Sequence, residues 1–116
     1  MKKVMIVQPT SGRTEDEINQ TYDKAVDILS KQGYLVGESK GCVINSEVKH
    51  KDIYRLSKSL KELSYSDVVY FCMGWHTSPM CNIVHRVSRA NGLKLAYEGV
   101  SYNEQVVSTK RERTYD

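Results

Sequence analysis

Two short segments of the sequence combine hydroxyl side chains, backbone amides and a charged or flat side chain, which suits them to binding an anion or a nucleotide. Each precedes a predicted helix, whose unpaired N-terminal amides favour phosphate. Arg13 would add a fixed positive charge, and Trp75 a surface on which a base could stack. The candidate residues are Gln8, Pro9, Thr10, Ser11, Gly12 and Arg13 in loop 1 (residues 8–13) and Gly74, Trp75, His76, Thr77 and Ser78 in loop 2 (residues 74–78).

Structural roles compete with some of these assignments. Ser78 precedes a proline and has the type of a helix N-cap, which alone would explain it. Trp75 could equally cover the edge of the core. His85 falls on a predicted helix, where a solvated or structurally bonded histidine is expected. Cys72 and Cys81 are interpreted as small buried residues, because neither has a basic neighbour in sequence that would favour a thiolate.

Several other chemistries are not supported by the spacing of residues. The glycines form neither GxGxxG nor GxxxxGK[ST], the two best-known nucleotide fingerprints. The three cysteines are an odd number without CxxC spacing, so no disulfide framework is predicted. No His/Asp/Glu cluster has metal-ligand spacing, and we predict neither a metal site nor a cofactor. Carboxylates on the candidate loops are scarce, which argues against a hydrolytic site.

The elements that must position these loops alternate between strands and helices. Strands are predicted at residues 3–8, 34–36, 67–73 and 93–97. Thr14 and Glu17 form a capping box that begins the first helix. Apolar residues at helical spacing predict the inward faces of three helices: Ile18, Tyr22, Ala25, Val26 and Leu29 in the first, Ile53, Leu56, Leu60 and Leu63 in the second, and Ile83, Val87 and Ala90 in the third. This order predicts an α/β sandwich with a mostly parallel sheet.

Length and composition fit one α/β domain. The chain has 116 residues, of which 40% are hydrophobic and 27% charged, with a net charge of +3. That charge is too small to indicate a nucleic acid polymer as partner. No apolar run approaches the ~18 residues of a membrane span, so we expect no membrane association and a cytoplasmic location. Residues 1–100 are assigned to the domain and 101–116 to a polar extension that could contact a neighbouring subunit; residues 39–51 form a long loop of unassigned role.

Two stretches carry a resemblance to a known family. The stretch KVMIVQPTSGRTEDEI and the stretch LSYSDVVYFCMGWHTSPMCNIVHRVSRANGLKL resemble, in order and spacing, small phage and bacterial proteins related to nucleoside 2-deoxyribosyltransferases. The resemblance covers residues 3–97. It implies a three-layer, flavodoxin-like (Rossmann-like) fold with a four- or five-stranded sheet in the order 2-1-3-4. It also implies a nucleoside or nucleotide pocket, and a homodimer or larger homo-oligomer whose subunits complete each other's site.

The resemblance breaks at the catalytic position. In active members a glutamate on the third helix attacks the anomeric carbon, and here that position is Val84, which can be neither a nucleophile nor a proton carrier. Met80 replaces a glycine of the family's motif, and His76 and Thr77 replace its Glu-Asn. Met80 and Val84 are therefore expected to line an apolar wall of the pocket, without covalent glycosyl transfer.

Three hypotheses follow. The first is a non-catalytic nucleotide-binding protein; if phage-encoded, it would act in the host cytoplasm as an anti-defence sponge for a nucleotide signal of the cyclic ADP-ribose type. The second is an N-glycosidase or deoxyribosyltransferase with a relocated catalytic group, for which His76, His85 and Glu98 are the candidates. The third is a small interaction domain with a vestigial pocket.

Overall fold

A computed structural model describes residues 2–37 and 46–99. The predicted extension at residues 101–116 and much of the loop at residues 39–51 lie outside the described part. The strands are β1 (Lys3–Val7), β2 (Leu35–Val36), β3 (Val68–Phe71) and β4 (Lys94–Tyr97), and the α-helices are α1 (Glu15–Lys31), α2 (Lys51–Leu63) and α3 (Pro79–Ala90). A single-turn 3-10 helix at Trp75–Thr77 precedes α3.

The four strands form one parallel sheet in the order β2-β1-β3-β4, which confirms the predicted topology. β1 and β3 occupy the centre, and all four residues of β3 are buried. A strand covered on both faces needs apolar side chains at successive positions, and the sequence VVYF supplies them. The three-layer, flavodoxin-like α/β fold is thereby shown.

Side chains alternate between the two faces of the sheet and build two hydrophobic clusters. The cluster on the α1 face contains Val4, Ile6, Ala25, Leu29, Val68, Tyr70, Cys72 and Ala96. The cluster on the face covered by α2 and α3 contains Met5, Val7, Leu63, Val69, Phe71, Cys81, Val84 and Leu95. The alternation therefore decides which residues beyond each strand face α1 and which face α3.

The start of α1 follows the sequence prediction. The Thr14 hydroxyl accepts a hydrogen bond from the backbone N–H of Glu17 (3.2 Å), and the Glu17 carboxylate accepts one from the backbone N–H of Thr14 (2.9 Å). At the other end the chain leaves the helix through Gly33 at φ +88°, a conformation that a residue with a Cβ adopts only under strain. The capping box is thereby confirmed, and the parallel crossover from β1 to β2 places this N-terminus of α1 at the carboxyl edge of the sheet.

The predicted inward face of α3 is wrong at two of its three residues, since only Val87 packs against the hydrophobic cluster on this face of the sheet. Ile83 is 43% exposed and Ala90 is exposed, whereas Cys81, Val84, His85 and Ser88 are the buried residues of this helix. Polar side chains can turn inward because their hydrogen bonds are made there: the Ser88 hydroxyl donates to the Val84 carbonyl at 2.7 Å. Ile53 of α2, also predicted to be inward, is 64% exposed. No helix in the described residues is long and apolar enough to cross a membrane.

Candidate functional site

The candidate site lies where the strand order reverses. The chain passes from β1 to its neighbour β2 on one side and then returns to β3 on the other side of β1. In open parallel sheets, the crevice outside the carboxyl ends of the two strands at such a point is the usual ligand site. Loop 1 follows β1 and loop 2 follows β3, so the topology brings both predicted loops to this crevice.

The strands β1 and β3 stay paired up to the residues that precede the two loops. The backbone N–H of Cys72 donates to the carbonyl of Val7 at 2.8 Å, which extends the pairing of β1 and β3 by one step. A Cβ on Gly74 would lie 3.6 Å from Cγ of the buried Pro9, at ordinary van der Waals contact. Gly74 has φ +85°, so glycine is required there for its backbone conformation and not for space.

Loop 1 is fixed to α1 at both ends. The side-chain amide of Gln8 donates from Nε2 to the Ile18 carbonyl at 3.1 Å, and the Arg13 guanidinium lies 3.4 Å from the Thr21 hydroxyl. The Oε1 atom of Gln8 is buried and has no hydrogen-bond partner among the described residues. The middle of the loop is exposed at Thr10, Ser11 and Gly12. Loop 1 therefore presents accessible hydroxyls and amides between two fixed ends.

Short-range hydrogen bonds fix loop 2. The Thr77 hydroxyl donates to the Gly74 carbonyl at 2.7 Å, and the Ser78 hydroxyl accepts from the Cys81 N–H at 3.3 Å, so Ser78 is the predicted N-cap of α3. Asn82 donates from Nδ2 to the carbonyls of His76 and Ser78, both at 2.9 Å. The sequence analysis gave Asn82 no such role; its position four residues after the cap was the available signal.

An aromatic cluster lies beneath loop 2. The Trp75 ring stacks on the His85 ring at 4.2 Å between centroids and tilts against Phe71 at 5.1 Å. Nε2 of His85 lies 2.8 Å from the hydroxyl of Tyr97, so His85 is structurally bonded, one of the two alternatives. His76 is exposed. Trp75 thus covers the edge of the core, and loop 2 is anchored through it.

The two residues of the expected apolar wall, Met80 and Val84, lie in different environments in the structure. Val84 is 2% exposed and belongs to the hydrophobic cluster on the α3 face, between the helix and the sheet. Met80 is half-buried in the first turn of α3. Position 84, which the sequence resemblance would align with a catalytic glutamate, is therefore a core position in this protein.

Glu98 places a carboxylate at the carboxyl edge of the sheet, on the face covered by α1. Oε1 of Glu98 accepts a hydrogen bond from the backbone N–H of Met73 at 3.0 Å, and Oε2 lies 4.0 Å from Nζ of Lys24. Burial, together with the nearby Glu98 carboxylate, raises the pKa of Cys72 to about 12 and that of Tyr70 to about 12. Both groups are consequently neutral at physiological pH.

Within residues 2–37 and 46–99, no three His, Cys, Asp or Glu side chains group as metal ligands. Comparison of the chain with protein-family models, with curated proteins and with solved structures finds no match in any of the three. The fold and the geometry define the class: a flavodoxin-like α/β domain with a candidate ligand crevice at its topological switch point.

Proposed function

We propose that this protein binds a nucleotide in the crevice between loops 1 and 2 without cleaving its glycosidic bond. The observation that carries the proposal is the convergence of the two loops at the carboxyl ends of the paired strands β1 and β3. The N-termini of α1 and α3 both follow these loops, and Arg13 supplies a cation beside them. The resemblance to nucleoside-processing proteins gives the ligand class.

Binding without cleavage follows from the side chains of α3. This helix has no aspartate or glutamate, and the position expected to carry the nucleophile is the buried Val84. His85 is engaged by Tyr97 and Trp75 inside the domain. Carboxylate attack at an anomeric carbon needs a carboxylate positioned at the sugar, and α3 supplies none.

We further propose that a homo-oligomer of this protein sequesters a nucleotide signal. If the chain is phage-encoded, this signal is of the cyclic ADP-ribose type. Support for this step is the resemblance to small phage proteins and the valine at the catalytic position. A sponge requires tight binding and no turnover, and this site has binding loops without a nucleophile. Size-exclusion chromatography with light scattering tests the oligomer separately from ligand binding.

Thermal unfolding with a panel of nucleosides, nucleoside mono- and diphosphates and cyclic ADP-ribose tests the binding. A ligand at 100 times its Kd raises the free energy of unfolding by about 2.7 kcal/mol. Arg13→Gln should weaken binding of phosphorylated ligands, whereas Arg86→Gln, on an exposed position of α3, should leave it unchanged. No stabilisation by any member of the panel would contradict the proposal.

Two further measurements separate binding from turnover. Trp75 is the chain's single tryptophan, so its fluorescence reports directly on loop 2 during a titration. Chromatography of the incubated ligand should recover it intact. Sustained release of free base, abolished by His76→Ala or Glu98→Gln, would instead favour the N-glycosidase hypothesis.

A further inference from the structure

Three residues form a row across the carboxyl edge of the sheet on its α1 face. The register pairs Val7 with Phe71 and Phe71 with Tyr97, so the residues that follow them stand side by side. These are Gln8 after β1, Cys72 after β3 and Glu98 after β4. We call them the edge row.

Contacts with α1 confirm which face the edge row occupies. Gln8 bonds to the carbonyl of Ile18 in α1, and Glu98 lies beside Lys24 of the same helix. Cys72 belongs to the hydrophobic cluster beneath α1 and is fully buried. The row therefore forms a continuous strip between the sheet edge and α1, beginning at loop 1.

Charges of opposite sign flank the centre of the row. The guanidinium of Arg13 lowers the pKa of the Cys72 thiol, whereas the carboxylate of Glu98 raises it, so both groups lie within electrostatic range of that sulfur. Burial is the largest cause and keeps the thiol neutral.

The edge row has an acceptor on each side of Cys72: the buried Oε1 of Gln8 and the partly exposed carboxylate of Glu98. Oε1 of Gln8 is buried and has no partner in the described residues. Among residues 2–37 and 46–99, Oε2 of Glu98 has only Lys24 at 4.0 Å, and the Lys24 side chain is 70% exposed, so water screens this pair. A buried acceptor without a donor is costly, and a carboxylate oxygen accepts more than one hydrogen bond. The Glu98 end of the edge row, which is partly exposed, therefore suits a ligand with a hydroxyl or amine donor.

We propose that Glu98 is a ligand-binding residue that accepts a hydrogen bond from the 2′-hydroxyl of a ribose, so that the site selects ribonucleotides over 2′-deoxyribonucleotides. The inference rests on the proposed nucleotide binding and names the sugar of that ligand. Acidic side chains bind ribose hydroxyls in the same way in dinucleotide-binding sheets. In this arrangement the phosphate of the ligand lies beside Arg13. Glu98 lies on the opposite side, where its negative charge does not repel the phosphate.

Calorimetric titration with matched pairs of ribonucleotides and 2′-deoxyribonucleotides tests the proposed preference for ribose. The pairs are AMP with 2′-deoxy-AMP and the corresponding guanine and cytosine monophosphates. The wild type should bind the ribonucleotide of the preferred base at least about tenfold more tightly, because the deoxy form lacks a hydrogen bond to a charged acceptor. Glu98→Gln should reduce ribonucleotide affinity to the level of the deoxyribonucleotide and leave the latter's affinity unchanged, since glutamine still accepts from the Met73 N–H.

Asp67→Asn is the matched control. Its carboxylate also accepts one backbone N–H, from Lys3 at 2.9 Å, but it lies at the amino edge of the sheet. This variant should keep the wild-type preference for ribose. Equal affinities of the wild type for ribonucleotides and deoxyribonucleotides would overturn the inference and leave the proposed nucleotide binding intact. This comparison uses only the wild-type protein, so it does not depend on the folding of a variant. A preference for ribose that survives in Glu98→Gln would overturn it as well. Absence of binding by all pairs would contradict the proposed function itself.

Discussion

The hydroxyl of Tyr97 lies 2.8 Å from Nε2 of His85, and this contact joins the end of β4 to the inward face of α3. His85 is 7% exposed, and its ring also stacks on Trp75 of loop 2. One buried polar contact thus connects a strand, a helix and a candidate binding loop. A histidine is accommodated in the core because its ring packs among aromatic rings while its nitrogen is hydrogen-bonded.

Removing the Tyr97 hydroxyl should destabilise the domain. Tyr97→Phe deletes the hydrogen bond to His85 and is expected to lower the free energy of unfolding by about 1–2 kcal/mol, measured by urea denaturation. Tyr65→Phe is the control, because that side chain is 68% exposed, and its effect should stay within about 0.5 kcal/mol. Equal unfolding midpoints for the two variants would show that the buried contact contributes no stability.

Placing a glutamate at position 84 should unfold the protein rather than create an enzyme. Val84→Glu puts a carboxylate at a 2% exposed core position and is expected to cost about 3–5 kcal/mol. Ile83→Glu makes the same change one residue earlier, where the side chain is 43% exposed, and should cost less than about 1 kcal/mol. Both are measured by chemical denaturation. A folded Val84→Glu variant that releases base from nucleosides would instead show that this position faces the ligand crevice.

The capping box of α1 should make stability sensitive to acid. Hydrogen bonds with Thr14, first its backbone N–H and then its hydroxyl, lower the pKa of Glu17 below its ordinary value of 4.5. A carboxyl group whose pKa is lower in the folded than in the unfolded state stabilises the protein at pH values above its unfolded-state pKa. This contribution is lost as the pH falls through the folded-state pKa. Glu17→Gln should remove this part of the acid dependence in urea titrations below about pH 5, while Glu15→Gln, outside the capping box, should keep it. Identical profiles for Glu17→Gln and wild type would contradict the assignment.

The thiols of Cys72 and Cys81 should be inert in the folded protein. Burial raises the pKa of Cys72 to about 12 and also raises that of Cys81, and the two side chains are 0% and 3% exposed. Because the thiolate is the reacting species, iodoacetamide at neutral pH should leave both unmodified by mass spectrometry in a Cys42→Ser background. Both should react in urea. Rapid native alkylation of Cys72 would show that the edge row opens to solvent.

Local signals predicted most of the architecture. Thr14 with Glu17 marked the start of α1, Ser78 before Pro79 marked the start of α3, and the apolar run around β3 marked the central strand. Each of these depends on interactions among residues close in the chain. The apolar periodicity of α3 predicted the wrong face at Ile83 and Ala90, because the inward positions include His85 and Ser88, whose burial requires partners that sequence spacing does not reveal.

Capping, turn chemistry and hydrophobic patterning act over a few residues, so the amino-acid sequence was enough to predict the elements, their order and the two loops that reach the carboxyl edge. Tertiary structure alone decided that Val84 faces the core and that Glu98 meets the Met73 amide 25 residues away. Contacts of this kind depend on strand register and on the face each helix presents. Both are set by packing the whole sheet against its helices, and no local pattern carries that information.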